Sequence, residues 1–417
     1  MVAQLDLAAS DSTGPLGVRL LLPRSGRLPD GLYSAPLRPF DDAAVAFCAK
    51  VSKAILLGGR FRAYPEMLAF GHWLRKASVL ALKSEFESRP AVRQARGNAF
   101  HIAPKNVDTI FLYSMFLSLL AGNSNVVRVS ASLSDQVQTV IDTLAEVLED
   151  PEFAEIASRL AILTYPHDAE TSAWFSRRCD VRVVWGGDST VEAIREVPLP
   201  PHARDLGFPN KWSVAVFDCA TVMAMDEGEL ADNARKFTLD TYWFGQMACS
   251  SPRAILWLGD RDEMSECSQR FWGAVEAHLE GQDFGLGAVD VVNKRVAEDT
   301  LAMQAPGIRV HDGRGGLLNI VEFDALSAFG IDEHCGAGLF YQTHIERLEE
   351  LDGFLGRTLQ TVVSLGIPSQ DWRAALKGSA FAGIDRIVPV GAALDFSPHW
   401  DGLDLMGEYT RAVDIQV

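Results

Sequence analysis

Apolar and polar positions change their period several times along the chain. Between residues 41 and 96 the apolar positions recur at helical spacing. Leu68, Phe70, Trp73 and Leu74 mark one side of a segment that opens at Pro65-Glu66, and the charges of Arg75 and Lys76 follow them. Asp41-Asp42 stands at a plausible helix start. Residues 99–103 form a short apolar run that stops at Pro104. Residues 107–120 are apolar almost all round, which predicts a helix covered on every side, and Ala121-Gly122-Asn123 ends it. The valine-rich stretch 125–129 reads as a buried strand.

The alternation then becomes regular. Residues 134–149 predict a helix, 160–165 a strand, 171–178 a helix and 181–185 a strand. Gly186-Gly187 follows, then a helix through Ile194, and 214–217 is another strand. Strand, helix and strand at this spacing mean βαβ units and a mostly parallel sheet. Asp226 opens the next helix, to about Thr241, with Glu229 three residues on as the partner of a capping box. A second α/β stretch covers 254–258, 264–279, 287–292 and 318–323, and the chain closes with 384–390 and Trp400-Asp401-Gly402. The expected division is 1–222, a helical segment with a cofactor-binding domain; 223–380, a thiolate domain; and 381–417, a C-terminal segment.

The 417 residues suffice for two or three domains. Hydrophobic residues make up 48% and charged residues 22%, so the chain can bury a large core and is neither disordered nor a small disulfide scaffold. The net formal charge of −17 argues against nucleic acid or an anionic membrane as partner. The apolar run 109–121 is shorter than the roughly 20 residues a membrane span needs. Residues 1–10 carry Asp6 and no basic residue, unlike a secretory leader, so a cytoplasmic location is expected. The six cysteines lack C-x-x-C pairs and zinc-ligand spacing, so reduced thiols are expected and no metal site.

Two segments could carry chemistry. In Phe244-Gly245-Gln246-Met247-Ala248-Cys249-Ser250-Ser251-Pro252 a cysteine lies between a predicted helix and a predicted strand. Glycine allows turns that other residues resist, and small residues let a substrate approach. A cysteine is a nucleophile as its thiolate, and otherwise a small buried hydrophobe. In His101-Ile102-Ala103-Pro104-Lys105-Asn106 an asparagine precedes the apolar helix. It could cap that helix, or aim an amide N–H at a developing oxyanion. His101 and His334 are either structural or near a site, and Gly285-x-Gly287 and Gly336-x-Gly338 are only halves of a dinucleotide fingerprint.

Together these segments resemble the LuxC-like acyl-CoA reductases of the aldehyde dehydrogenase superfamily. The resemblance runs through residues 64–76, the Asn106 segment, Ala121-Gly122-Asn123 to Ser130, Gly245 to Pro252, Gly383 to Gly391 and Trp400-Asp401-Gly402. It implies an aldehyde-dehydrogenase-like fold of two Rossmann-like α/β domains with an active-site cleft between them. It places Cys249 as nucleophile and Asn106 at the oxyanion. Arg128 falls where relatives contact the adenosine ribose, and Gly187, Asp188 and Ser189 where a helix start approaches the pyrophosphate. Glu333, in Glu333-His334-Cys335-Gly336, resembles the group that grips the nicotinamide ribose, with Cys335 where the family pattern has Phe. Asp205, in Asp205-Leu206-Gly207, stands one methylene short of the family's general-base Glu. Two residues separate Gln246 from Cys249, as in the LuxC-like branch.

The function so implied is NADPH-dependent reduction of a long-chain acyl-CoA or acyl-protein thioester to an aldehyde through a cysteine acyl-enzyme. An acyl-protein synthetase partner and a homo-oligomer are implied with it. The permanent charge of Arg128 suits a 2′-phosphate, which selects NADPH over NADH. The alternative is an acyl-relay or scaffold subunit that forms a Cys249 thioester without reducing it. A dehydrogenase running towards the acid is a third reading, and the short Asp205 counts against it.

Overall fold

A computed structural model describes residues 17–104, 110–305, 307–313 and 316–417. The chain forms two compact units. One runs up to Pro209 and regains Phe396–His399 and Leu403–Val417; the other is Asn210–Asp395 with Trp400–Gly402.

The first unit is built on a six-stranded sheet. In chain order its strands are β1 (Arg19–Leu22), β3 (Asn98–Ile102), β4 (Ser124–Arg128), β5 (Leu160–Thr164), β6 (Val181–Trp185) and β7 (Arg204–Phe208), while β2 (Val92–Ala95) lies outside it. Their order across the sheet is β1-β5-β4-β3-β6-β7. All the pairings are parallel except β1 with β5. The parallel strands thus run outward from β3 in both directions, the doubly wound arrangement, and β3 and β6 flank its switch point. β3, β5 and β6 are buried along their whole length, as sheets covered on both faces require.

The helix Ile110–Leu120 is buried at every residue, as its pattern predicts. Asp41 caps the helix Asp42–Leu57 by accepting from the Ala43 N–H. The segment that opens at Pro65-Glu66 forms two helices, Pro65–Trp73 and Lys76–Glu87, because Arg75 between them is extended. The C-terminal strand Thr410–Val413 returns to this unit and pairs antiparallel with β2.

The second unit holds a seven-stranded sheet. Its strands are β8 (Trp212–Asp218), β9 (Pro252–Leu258), β10 (Arg309–Asp312), β11 (Asn319–Glu322), β12 (Leu339–Ile345), β13 (Leu359–Leu365) and β14 (Arg386–Pro389). The order is β10-β11-β12-β9-β8-β13-β14, parallel apart from the edge pair β10 and β11. Residues 210–222, grouped by sequence with the first domain, lie in this unit because β8 hydrogen-bonds to β9 and β13. One core packs β8, β9 and β12 against the helices Glu227–Thr241 and Arg261–Leu279 through Phe217, Phe237, Trp257 and Phe271; a second core includes Trp212, Tyr341 and Trp372. The Asp226 and Glu229 capping box forms. The sequence pattern does not mark β1, β7, β10, β12 or β13, and the helical reading of 41–96 gives way at β2, where Val92–Ala95 is a strand paired with the C-terminal strand.

No helix among the described residues is long and apolar enough to cross a membrane. Among them, no group of three or more His, Cys, Asp or Glu is placed to hold a metal ion.

Candidate active site

Cys249 sits at the amino-terminal edge of the second sheet, three residues before β9 begins. The loop that carries it is unusual in its backbone. Phe244, Gly245 and Gln246 are consecutively left-handed, with φ of 55°, 59° and 65°. Such a conformation is costly for Phe and Gln, so other contacts must hold it. The buried Gln246 amide does this. Its Nε2 donates to the Pro252 carbonyl at 3.0 Å, and its Oε1 accepts from the Gly338 N–H at 2.9 Å. The Ala337 N–H adds a bond to the Gly245 carbonyl at 2.8 Å. The glycine-rich turn before β12 therefore clamps the left-handed stretch at Gly245 and Gln246.

The thiol itself is half-buried. Burial pushes its pKa up to about 11 and Asp401 adds to this, while the Gln360 side chain and the charge of Arg253 oppose it. The Cys249 carbonyl accepts from Ser213 Oγ at 2.7 Å, and the same Oγ accepts from the Thr361 N–H at 3.1 Å. Arg253 lies over the Trp212 ring, 5.0 Å from its centroid. Its Nε is buried without a hydrogen-bond partner. A guanidinium so placed, its own pKa lowered by burial, favours negative charge nearby.

The other candidates are distributed between the units. Glu333 is in the second unit, half-buried beside Gly330. His334 is held by backbone on both sides: Nδ1 accepts from the Gly336 N–H at 3.2 Å and Nε2 bonds the Leu339 carbonyl at 2.9 Å. Burial, then Arg253, depresses its pKa to about 3, so it is a neutral structural histidine. His101 likewise bonds Ser114 and Asn125 and is buried neutral, its pKa lowered to about 4. Cys48 and Cys179 are buried thiols whose pKa burial raises.

In the first unit, Arg128 ends β4 and Gly187 follows β6, so both stand at the carboxyl edge of the doubly wound sheet. Gly187 is the N-cap of the helix Asp188–Arg195 and supplies no side-chain cap. The first-turn N–H groups of that helix, at Asp188 and Ser189, form the kind of terminus that receives phosphate. Arg128 Nη2 reaches the Tyr165 carbonyl at 3.4 Å, and its guanidinium lies over the Tyr165 ring. Its Nε is buried without a hydrogen-bond partner. These features fit a dinucleotide, which binds outside the carboxyl ends of the strands at the switch point. Asp205 is differently engaged: both of its oxygens accept from Arg182, at 3.0 and 2.6 Å. Asn106 lies outside the described residues.

Sequence reading missed Gln360, Ser213 and Arg253 as neighbours of the thiol. Only Asp401 carried a signal, through the Trp400-Asp401-Gly402 motif.

The acyl-CoA reductase (LuxC) family model matches residues 75–281. No curated protein sequence matches the chain. Solved structures do. A NAD-dependent aldehyde dehydrogenase from Sinorhizobium meliloti superimposes with a TM-score of 0.66 at 12% identity, over 91% of this chain and 83% of that one. A NAD-dependent benzaldehyde dehydrogenase from Corynebacterium glutamicum gives 0.59 at 12% identity, over 91% and 85%. Proline utilization A from Bradyrhizobium japonicum gives 0.61 at 16% identity; it covers 91% of this chain, which spans only 43% of that longer protein. At these identities the likeness is one of fold.

Proposed function

We propose that this chain, a LuxC-type acyl-CoA reductase sequence over residues 75–281, reduces acyl thioesters to aldehydes through an acyl-enzyme on Cys249. The observation that carries the reading is the half-buried Cys249 thiol in a strained loop clamped by Gln246, with the Arg253 guanidinium and the Gln360 amide acting on it.

Cys249 as thiolate adds to the thioester carbonyl, and the carbon–sulfur bond to the donor breaks; the donor leaves as a thiolate that takes up a proton from solvent. The acyl group is then a thioester of Cys249. The Cys249 backbone N–H and, by family resemblance, Asn106 are the donors for the oxyanion. A nicotinamide cofactor, when bound, supplies the hydride. The resulting hemithioacetal of Cys249 collapses, releasing aldehyde and returning the thiolate. No water is consumed, so a base that activates water has no task, which suits an Asp205 already held by Arg182.

Gly187, Asp188 and Ser189 would hold the pyrophosphate at their helix start, and Glu333 the nicotinamide ribose. Arg128, stacked on Tyr165, is the cation for a 2′-phosphate, which favours NADPH. The acyl donor is a coenzyme A or protein thioester, and an acyl-protein synthetase is the corresponding protein partner. A symmetric homo-oligomer and a cytoplasmic site of action complete the proposal.

NADPH oxidation with a panel of acyl-CoA thioesters, on the wild type and Cys249→Ala, tests this. Oxidation that needs both the thioester and Cys249 supports the reductase. A labelled acyl group trapped on Cys249 without oxidation would replace it with the acyl-relay reading.

A further inference from the structure

We propose that Gln360 is the hydrogen-bond donor that stabilises the Cys249 thiolate, and that Asp401 is the positioning residue that turns the donor end of the Gln360 amide towards the sulfur. The inference rests on the reading of Cys249 as nucleophile.

A glutamine side chain has a donor end and an acceptor end of nearly the same shape, so only its partners decide which end faces a third group. Here both ends are decided. Gln360 Nε2 donates to Asp401 Oδ1. An ionised carboxylate only accepts, so the NH2 end must face it. At the other end, Thr361 Oγ1 donates to Gln360 Oε1 at 3.2 Å. A flipped amide would set oxygen against carboxylate and abandon the threonine hydroxyl. The amide is fully buried on β13, without water to compensate such a flip.

One N–H of Nε2 is used by Asp401, and the second remains for Cys249, whose thiolate form the Gln360 side chain favours. The cysteine main chain is tied to the same place. Ser213 Oγ bridges the Cys249 carbonyl and the N–H of Thr361, the residue after Gln360. Cysteine and amide are thus held to one another through backbone as well as side chain.

Asp401 is held in a left-handed conformation, φ 49°, in the short segment that returns to the second unit. The groups acting on its carboxylate are Gln360, Lys211, Asp385 and Arg386, and Lys211 Nζ itself pairs with Asp385 at 3.1 Å. Burial raises the Asp401 pKa to about 6, so at pH 7 it is ionised and acceptor-only. Once protonated it can donate, and the enforced amide orientation is lost.

As a bare charge, Asp401 disfavours the thiolate. As a positioning residue, it favours the thiolate through Gln360. Removing it therefore has opposite effects under the two roles. The test is the rate of Cys249 alkylation by iodoacetamide against pH, which needs neither substrate nor cofactor, so it stands apart from any failure of the reductase assay. The measurement uses the full chain, with peptide mapping to isolate Cys249. Asp401→Gly keeps the left-handed backbone free of strain and removes the carboxylate. It is expected to slow alkylation at pH 8. Asp401→Asn keeps an acceptor but adds a donor, so it no longer enforces the amide orientation, and it is expected to alkylate at a rate between those of Asp401→Gly and wild type. Gln360→Leu is expected to slow it by roughly tenfold or more, the worth of a hydrogen bond to a charged group. Thermal melts establish that each variant is folded. Should Gln360→Leu not fold, the two Asp401 variants decide. Faster alkylation in Asp401→Gly, or an unchanged rate in folded Gln360→Leu, would overturn the proposal.

Discussion

Arg182 and Asp205 are register partners on the adjacent strands β6 and β7, and they face each other as a bidentate ion pair with contacts of 3.0 and 2.6 Å. The arginine is only 1% exposed and also donates to the Val197 carbonyl and to Ser176. Its charge is therefore balanced chiefly by Asp205. Asp205→Ala leaves a buried cation without its counter-charge, at a cost of about 3–5 kcal/mol. Urea unfolding is expected to show that loss, while Asp205→Asn, where it folds, keeps NADPH oxidation per folded molecule. An Asp205→Asn protein of full stability and no turnover would instead make Asp205 a catalytic base.

The turn before β12 presses on the cysteine loop. A Cβ on Gly336 would lie 2.5 Å from the Gly245 carbonyl and 2.8 Å from the Met247 sulfur, and its φ of 74° is itself unfavourable to other residues. Gly336→Ala is expected to displace the loop, costing about 1–3 kcal/mol through backbone strain. Cys249 alkylation and acyl-enzyme formation should fall much more than overall helix content by circular dichroism. Unaltered alkylation kinetics would mean that the clamp does not govern the thiol.

Gln342 connects strand β12 to the aromatic core. Its Oε1 accepts from the indoles of Trp257 at 3.1 Å and Trp272 at 2.7 Å, and its Nε2 donates to Glu322. Gln342→Leu keeps the bulk and strands two buried donors, each costing about 1–3 kcal/mol. A lowered denaturation midpoint with an unchanged denaturant slope is the expected result, and a stability within error of wild type would count against it.

Three buried groups and the half-buried Asp401 set opposing pH dependences. His101 and His334 have folded pKa values lowered to about 4 and about 3 from 6.5. The unfolded chain binds more protons there, so their contribution is lost as pH falls below about 6.5. Burial raises Asp240 to about 7 and Asp401 to about 6 from 3.8. The folded chain binds more protons in that window, so their contribution is lost as pH rises through it. The two pairs offset each other between about pH 4 and 6.5. Asp240→Asn removes one carboxylate, so its melting temperature should fall more steeply than that of wild type from pH 7 to 4.5. Parallel profiles would refute the assignment.

Arg128→Ala addresses the cofactor. It is expected to raise KM for NADPH about tenfold or more, the scale of a charge-assisted contact, with little change for NADH. Equal effects on both would place Arg128 away from the 2′-phosphate.

What the chain determines locally is visible in the sequence itself. The all-apolar helix Ile110–Leu120, the Asp226 and Glu229 capping box, and the strands flanking each helix depend on neighbours a few residues apart, and their pattern is written in those residues. The cysteine segment was visible too, because its small residues and glycine are contiguous. The tertiary structure alone decided the rest. β8 belongs to the second unit because its partners, β9 and β13, come later in the chain. Asp205 meets Arg182 because the register of two parallel strands sets them opposite each other. Gln360 meets Asp401, and Ser213 links the Cys249 carbonyl to the Thr361 N–H, only when β13, the cysteine loop and Trp400–Gly402 come together in one fold. Hydrogen bonds between residues tens to more than a hundred positions apart leave no periodicity for a sequence to show, since register and packing choose the partner.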